Sequence, residues 1–124
     1  MTGAMRVALV TGASRGIGKA AAQRLAEAGY RVAVHFGRRE DDARAVAESL
    51  AGAGHGAFGA DLADPEAVGG LVRRVVDACG RIDLLVNNAG VFLDHDPNRV
   101  DLAAWRAAWR QTLAVNLVAA ADLA

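Results

Sequence analysis

The sequence predicts an α/β fold in which a doubly wound parallel sheet is covered by helices on both faces. Short apolar runs alternate with longer stretches of helical periodicity along the chain, and this alternation implies right-handed crossovers between parallel strands. The apolar runs are also continuous, which is typical of strands buried on both faces. We expect residues 1–124 to form a single domain that is incomplete, because it is truncated after the fourth strand and its following helix.

The predicted strands share a mainly apolar run that is followed by a glycine or a polar residue. They cover 7–10, 32–36, 57–60 and 82–86. The predicted helices carry apolar residues every three or four positions. They cover 16–28, 41–50, 65–79 and 102–124. Asp64 and Pro65 give the third helix a clear start, with a capping residue before a proline at the first helical position.

The last predicted helix has an apolar face that needs a partner. The residues on this face are Leu102, Trp105, Trp109, Leu113 and Asn116. The fourth strand would likewise be left as an exposed apolar edge, which favours association unless another element pairs with it.

Composition excludes several classes of partner. The formal net charge is zero, with 14 basic and 14 acidic side chains, so no electrostatic footprint for nucleic acid or an anionic membrane is expected.

The single cysteine, Cys79, cannot form an internal disulfide and is interpreted as a small core residue. The first apolar run is too short to span a membrane, and Gly12 and Arg15 interrupt it. We expect a cytoplasmic protein and no metal site.

A glycine-rich turn lies between the first strand and the first helix, at residues 11–18. Glycines at such a turn allow a tight bend, a close approach of the backbone to a pyrophosphate and close packing of helix on strand, as in a Rossmann fold. The helix N-terminus also favours an anion. A phosphate-loop kinase or GTPase fits poorly, because Ala20 follows Lys19 and Ala13 occupies the earlier glycine position. An ordinary glycine-rich turn remains the alternative for this motif alone.

The turn does not stand alone: Asp61 follows the third strand, and Asn-Asn-Ala-Gly at 87–90 follows the fourth. Together these motifs resemble the short-chain dehydrogenase/reductase family over residues 7–117, roughly the first half of a typical member. Within the family, the sequence is most similar to the bacterial 3-oxoacyl-acyl-carrier-protein reductase type.

The resemblance implies a set of cofactor-binding residues. Those that match the glycine loop are Gly12, Gly16 and Gly18, and those placed to touch cofactor phosphate and ribose are Ser14, Arg15 and Ile17. Asp61 matches the acid that contacts the adenine amino group, with Leu62 beside it. The segment that lies against the cofactor ribose is matched by Asn88, Ala89 and Gly90, whereas Asn87 is expected to steady the central sheet.

The end of the second strand predicts a preference for NADP(H) over NAD(H). A carboxylate at this position would accept hydrogen bonds from the ribose 2′-hydroxyl and repel a 2′-phosphate. None occurs before Glu40; Arg38 and Arg39 are present instead, and either, helped by Arg15, could pair with the 2′-phosphate. The alternative is that these arginines are simply solvated.

Most of the family's catalytic residues have no match here. Members use a serine, a Tyr-x-x-x-Lys pair and an asparagine, and the lysine and the cofactor charge lower the pKa of the tyrosine. The single tyrosine, Tyr30, is followed four positions later by Val34, and the single lysine is Lys19. Only Asn116 matches, as the helix asparagine that supports a proton relay. His95 and Asp96 are interpreted as solvated surface.

Two functions follow as hypotheses. In the first, the chain is the NADP(H)-binding portion of a reductase that transfers a hydride between nicotinamide and a carbonyl or alcohol substrate, inactive by itself. In the second, it is a non-catalytic module that binds a nucleotide or a partner. The family resemblance also implies a homo-oligomer, since the helix that corresponds to the last predicted one, at 102–124, contributes to a subunit interface in complete relatives.

Overall fold

The computed structural model describes residues 5–93 and 96–124. Strands and helices alternate along the chain and end in a helical segment with a π-helical turn. They are β1 (Val7–Val10), α1 (Gly16–Glu27), β2 (Arg31–Phe36), α2 (Glu40–Ser49), β3 (Gly56–Gly59), α3 (Pro65–Cys79), β4 (Leu84–Val86), α4 (Leu102–Leu113), the π-helical turn (Ala114–Val118) and α5 (Ala119–Leu123). The strands form one parallel sheet in the order β3-β2-β1-β4. The predicted parallel α/β fold is confirmed.

Helices cover both faces of the sheet. Val7 and Leu9 of β1 point to one face and pack with α3, the π-helical turn and α5. Val10 points to the other face and packs with α1 and α2. This alternation follows from the two-residue period of a strand. All of β1 is buried, with at most 1% of any residue exposed, so the doubly wound arrangement is also as predicted.

The helices begin in different ways. The Asp64 side chain accepts a hydrogen bond from the Glu66 N–H at 3.0 Å, and Pro65 occupies the first position of α3. Asp101 caps α4 in the same manner by accepting from the Ala104 N–H at 2.7 Å. Helix α2 has three acidic residues in its first turn, whereas α1 has neither a side-chain cap nor an acidic residue there.

The start of β4 departs from the prediction, because the strand begins at Leu84 rather than at residue 82. Asp83 ends the ladder with β1: its Oδ2 accepts from the Val7 N–H at 2.8 Å, and its own N–H donates to the Val7 carbonyl at 2.8 Å. The Val7 N–H therefore donates to the Asp83 carboxylate instead of to a backbone carbonyl of β4. Hydrogen bonds from Arg81 and from Val7 lower the pKa of Asp83.

The last helix runs to residue 123, as predicted, but it contains the π-helical turn between α4 and α5; the backbone at Leu113, Ala114 and Ala119 stays right-handed helical. Its packed face carries Ala108, Val115 and Ala119. The face predicted from the apolar spacing is the outer one, on which Leu102 and Trp109 are 60% and 39% exposed. Val115 and Ala119 of the packed face pack with Val7 and Leu9 of β1 in the core.

The fourth strand lies at the edge of the sheet, as predicted. Beside its first residues, a hollow of about 370 Å³ lies between α3, β4 and α5. It is lined mainly by aliphatic side chains, among them Val72, Val76, Ile82 and Leu123. This hollow is at the opposite end of β4 from the glycine-rich turn and is therefore not the candidate site.

Candidate functional site

The glycine-rich turn leads from β1 into α1 at the carboxyl edge of the sheet. Gly12 and Gly16 have φ angles of +60° and +59°, a backbone conformation that residues other than glycine rarely adopt. Gly18 is needed for a different reason: a Cβ there would collide with the Gly12 carbonyl oxygen and lie 2.6 Å from the Asn88 Nδ2. The turn thus has glycine at two positions for its bend and at one for close packing.

Thr11 ties this turn to the segment that follows β4. Its Oγ1 accepts hydrogen bonds from the N–H groups of Asn88 at 3.0 Å and Ala89 at 2.9 Å, and donates to the Val86 carbonyl at 3.3 Å. In return, Asn88 Nδ2 donates to the carbonyls of Thr11 at 3.2 Å and Gly12 at 3.1 Å. The Asn88 amide group therefore fixes the turn. Sequence reasoning missed Thr11, although a hydroxyl residue at the end of a buried strand was a visible signal.

His35, at the penultimate position of β2, contacts the turn from the other side. Its Nδ1 accepts from the Gly12 N–H at 3.0 Å, and its Nε2 lies 2.9 Å from the Ala60 carbonyl oxygen. The backbone carbonyl of His35 accepts from the Ala13 N–H at 3.0 Å. Burial lowers the pKa of His35; the hydrogen bond to Ala60 opposes this shift, and the charge of Arg74 adds to it. This residue was also missed, although it is a polar residue inside a buried apolar strand.

Asp61 and Leu62 follow directly after Ala60 and so lie at the same edge. Asp61 is exposed, and its Oδ1 accepts from the Ala63 N–H at 3.0 Å. Leu62 is only 7% exposed and belongs to the core. Any contact between Leu62 and a cofactor would have to come from its main chain, because its side chain is used for packing.

Asn116 lies in the π-helical turn and reaches the loop after β4. Its Oδ1 accepts from the Val91 N–H at 2.8 Å, and its Nδ2 donates to the Val91 carbonyl at 2.9 Å. A Cβ on the neighbouring Gly90 would lie 3.5 Å from Asn116 Oδ1. The fold therefore brings the predicted catalytic asparagine to the predicted ribose-contacting segment. Single π-helical turns within helices are frequent at functional sites.

Asn87, expected to steady the central sheet, acts at the end of β4. Its Nδ2 donates to the Ala120 carbonyl at 3.1 Å, so it joins the end of β4 to α5. The side chains of consecutive residues point in opposite directions at the end of a strand, and it is Asn88 that holds β1.

The exposed residues at this edge include the predicted phosphate contacts. Arg15 and Arg38 are exposed, and neither forms an ion pair within residues 5–93 and 96–124. Arg39 pairs with Asp42 at 3.3 Å. Ile17 is 81% exposed, a large fraction for an aliphatic side chain at a helix start. Two cationic groups and one apolar group are thus left open beside the turn.

The remaining candidates lie around this frame. Ser14 is half-buried within the turn. Asp96 accepts from the Asn98 N–H at 2.9 Å and pairs with Arg99 at 3.7 Å, so it forms a local turn. His95 lies outside the described residues.

The start of α1 can bind an anion. Within the described part of the chain its first N–H groups have no side-chain acceptor, its first turn carries no carboxylate, and the helix dipole is positive there. Across the described ranges, no cluster of three or more histidine, cysteine, aspartate or glutamate residues could hold a metal ion. Among the helices of those same ranges, none is long and apolar enough to cross a membrane.

A parallel sheet with a glycine-rich turn opening its first helix defines a Rossmann-like nucleotide-binding protein. More specifically, the chain belongs to the short chain dehydrogenase family, whose model matches residues 6–124. It corresponds to the nucleotide-binding portion of that family.

Individual relatives agree with this assignment. The 3-oxoacyl-(acyl-carrier-protein) reductase FabG of Staphylococcus aureus is 43% identical over 100 residues, covering 79% of this chain and 41% of the relative. A metagenomic short-chain oxidoreductase, crystallised with NADP, gives a TM-score of 0.82 at 37% identity, over 97% of this chain and 53% of that one. A short chain dehydrogenase from Burkholderia cenocepacia in complex with NADP gives 0.81 at 41% identity, over 95% and 47%. The chain spans about half the length of the proteins it matches.

Proposed function

We propose that this chain is the NADP(H)-binding portion of a short-chain dehydrogenase/reductase that transfers a hydride between the nicotinamide cofactor and a carbonyl or alcohol substrate. The observation that carries the proposal is the start of α1, which has three glycines around it and no side-chain cap or acidic residue of its own. A pyrophosphate satisfies such N–H groups and complements the helix dipole.

The other residues of the site extend from this point in two directions. On one side, Asp61 is exposed for a contact with the adenine amino group. On the other, residues 88–90 would lie against ribose, and Ile17 would cover part of the cofactor. Bound nicotinamide would supply or accept the hydride, while the residues of this chain bind the cofactor and orient it.

The preference for NADP(H) rests on the exposed end of β2. Arg38 is open to a 2′-phosphate, whereas Arg39 is engaged by Asp42. The first carboxylate after β2 in the sequence, Glu40, lies in the first turn of α2 and pairs with Arg44 at 3.1 Å. Two solved relatives are complexes with NADP, which agrees with this preference.

Titration of the protein with NADPH and with NADH tests the proposal. We expect tighter binding of NADPH, and we expect Arg38→Ala to weaken NADPH binding about tenfold, the effect of one charge-assisted pair, with little change for NADH. Arg39→Ala is the matched control and should have a smaller effect. Equal or tighter binding of NADH by the unmodified protein would overturn the preference.

Catalysis by this chain alone is not expected. Asn116 is the one member of the family's catalytic set that it contains, and in the family that residue supports a proton relay rather than acting as the acid. A purified sample should therefore show no NADPH-dependent reduction of ketones, and measurable turnover would contradict this. A cytoplasmic location and association of the chain as a homo-oligomer belong to the same proposal.

A further inference from the structure

We propose that His35 is a positioning residue whose neutral imidazole clamps the glycine-rich turn to the segment that carries Asp61, so that cofactor affinity depends on its protonation. The proposal rests on the proposed function, because it concerns affinity for NADP(H). It also predicts a change in the protein without cofactor, which makes the two separable.

The geometry defines the state of the ring. The Ala60 carbonyl oxygen, 2.9 Å away, can only accept, so Nε2 carries the hydrogen. The Gly12 N–H, 3.0 Å from Nδ1, can only donate, so Nδ1 is unprotonated. Both requirements are met by one neutral tautomer. Protonation of Nδ1 would set an N–H against the Gly12 N–H and break this contact.

The two contacts join different parts of the cofactor site. Gly12 has the left-handed conformation on which the turn depends, and its carbonyl is held by Asn88. Ala60 immediately precedes Asp61. One ring therefore links the phosphate side of the site to the adenine side, and the backbone carbonyl of the same histidine holds the next N–H of the turn, that of Ala13. A preformed site avoids part of the ordering cost of binding.

The surroundings of the ring oppose a positive charge. His35 is 2% exposed. From α3, Arg74 brings a like charge, and its guanidinium donates to the Gly59 carbonyl. The turn itself contributes no ionisable group at Gly12 or Ala13, and the end of β3 contributes Asp61, which is exposed.

The sign of the pH effect follows from this environment. The pKa of His35 is lowered from 6.5, chiefly by burial. The contacts are therefore intact above pH 6.5, and they are lost as the pH falls through the lowered pKa of the folded protein. The cofactor's own phosphate also titrates near this range, so the wild-type profile must be compared with that of a variant that cannot titrate at position 35.

His35→Asn is that variant, because its side-chain amide has an acceptor oxygen and a donor NH2 group and does not titrate. His35→Leu removes both. Near pH 8 we expect the asparagine variant to bind NADPH within about threefold of wild type and the leucine variant to bind at least about tenfold more weakly, as for loss of a buried hydrogen-bonding group. As the pH falls from about 8 through the lowered pKa of His35, wild type should lose affinity that His35→Asn keeps, by at least about fivefold at one pH unit below that pKa. Parallel pH profiles for wild type and His35→Asn would overturn the proposal.

Amide hydrogen exchange at Gly12 and Ala13, measured without cofactor, separates this proposal from the proposed function. In wild type, we expect the protection factors of these two amides to decrease as the pH is lowered. In His35→Asn, we expect them to stay constant. If protection behaves in this way but NADPH does not bind at any pH, the clamp stands and the proposed function fails. If NADPH binds but protection is independent of His35, the clamp fails and the proposed function stands.

Discussion

Helix α1 and helix α3 both begin at the carboxyl edge of the sheet, but their first turns are built in opposite ways. Helix α3 satisfies its own start with the Asp64 carboxylate, a proline at the first position and Glu66 in the first turn. Helix α1 has Arg15 at its cap position, no capping hydrogen bond and no acid in its first turn. The start of α3 is complete in itself, whereas the start of α1 has N–H groups for which the described residues provide no side-chain acceptor.

The difference separates what stabilises this fold from what the fold is proposed to do. A cap such as Asp64 contributes to stability. The start of α1 gives up that contribution and is held instead from outside, by Thr11, His35 and Asn88. Sites that depart from the local rules and are supported by neighbouring residues are where function is expected.

The largest difference between the two helices should come from a glycine-to-alanine substitution in each of them. In α1, Gly18→Ala would place a Cβ against the Gly12 carbonyl and the Asn88 amide. We expect NADPH affinity to fall by at least about a hundredfold and the protein to lose about 2 kcal/mol of stability. Titration and denaturant unfolding measure the two effects.

Gly70→Ala, within α3, is the matched control. Nothing lies within 4 Å of a Cβ built at Gly70. Because alanine is the better helix former, the free energy of unfolding should be unchanged or rise by up to about 1 kcal/mol, with binding unaffected. Equal effects of the two substitutions would show that Gly18 has no special role.

The next effect comes from giving α1 the kind of cap that α3 already has. Arg15 has an extended backbone conformation, which suits a capping aspartate. We expect Arg15→Asp to stabilise the protein by about 0.5 kcal/mol while weakening NADPH binding, because the carboxylate competes with the pyrophosphate and repels it.

Arg15→Ala separates the new carboxylate from the lost guanidinium. Binding by Arg15→Asp should be at least about tenfold weaker than binding by Arg15→Ala, as expected for a like charge next to the anion. Similar affinities of the two variants, measured in the same titration, would mean that the start of α1 does not hold the anion.

The smallest effect is expected at α3. Asp64→Ala removes a cap that accepts from the Glu66 N–H, so the free energy of unfolding should fall by about 1 kcal/mol. NADPH affinity should stay within about twofold of wild type, since neither Asp64 nor the first turn of α3 is among the proposed cofactor contacts. A clear loss of binding, with the protein still folded, would remove the contrast between the two helix starts.

Local signals predicted the elements that depend on local interactions. Asp64, Pro65 and Gly80 bound α3 as the sequence indicated, and Gly80 ends it with a φ of +88°. The start of β4 could not be predicted, because the side chain that ends its ladder, Asp83, acts on Val7 in another strand.

The same limit applied to the site. Glycines at the turn are recognisable because their spacing is local, whereas Thr11 and His35 matter through residues far along the chain. The π-helical turn was equally invisible, since the apolar spacing of the last helix continues through it. Asn116 was found by resemblance, and its contact with Val91 became visible only in the fold.

Backbone amide chemical shifts recorded during an NADPH titration test the central claim most directly. The claim is that the start of α1, and not that of α3, binds the cofactor pyrophosphate. It predicts large, saturable shifts for the N–H groups of residues 14–18 and only minor ones for residues 66–68 at the start of α3. Absence of saturable shifts at residues 14–18, or shifts of equal size at both helix starts, would contradict it.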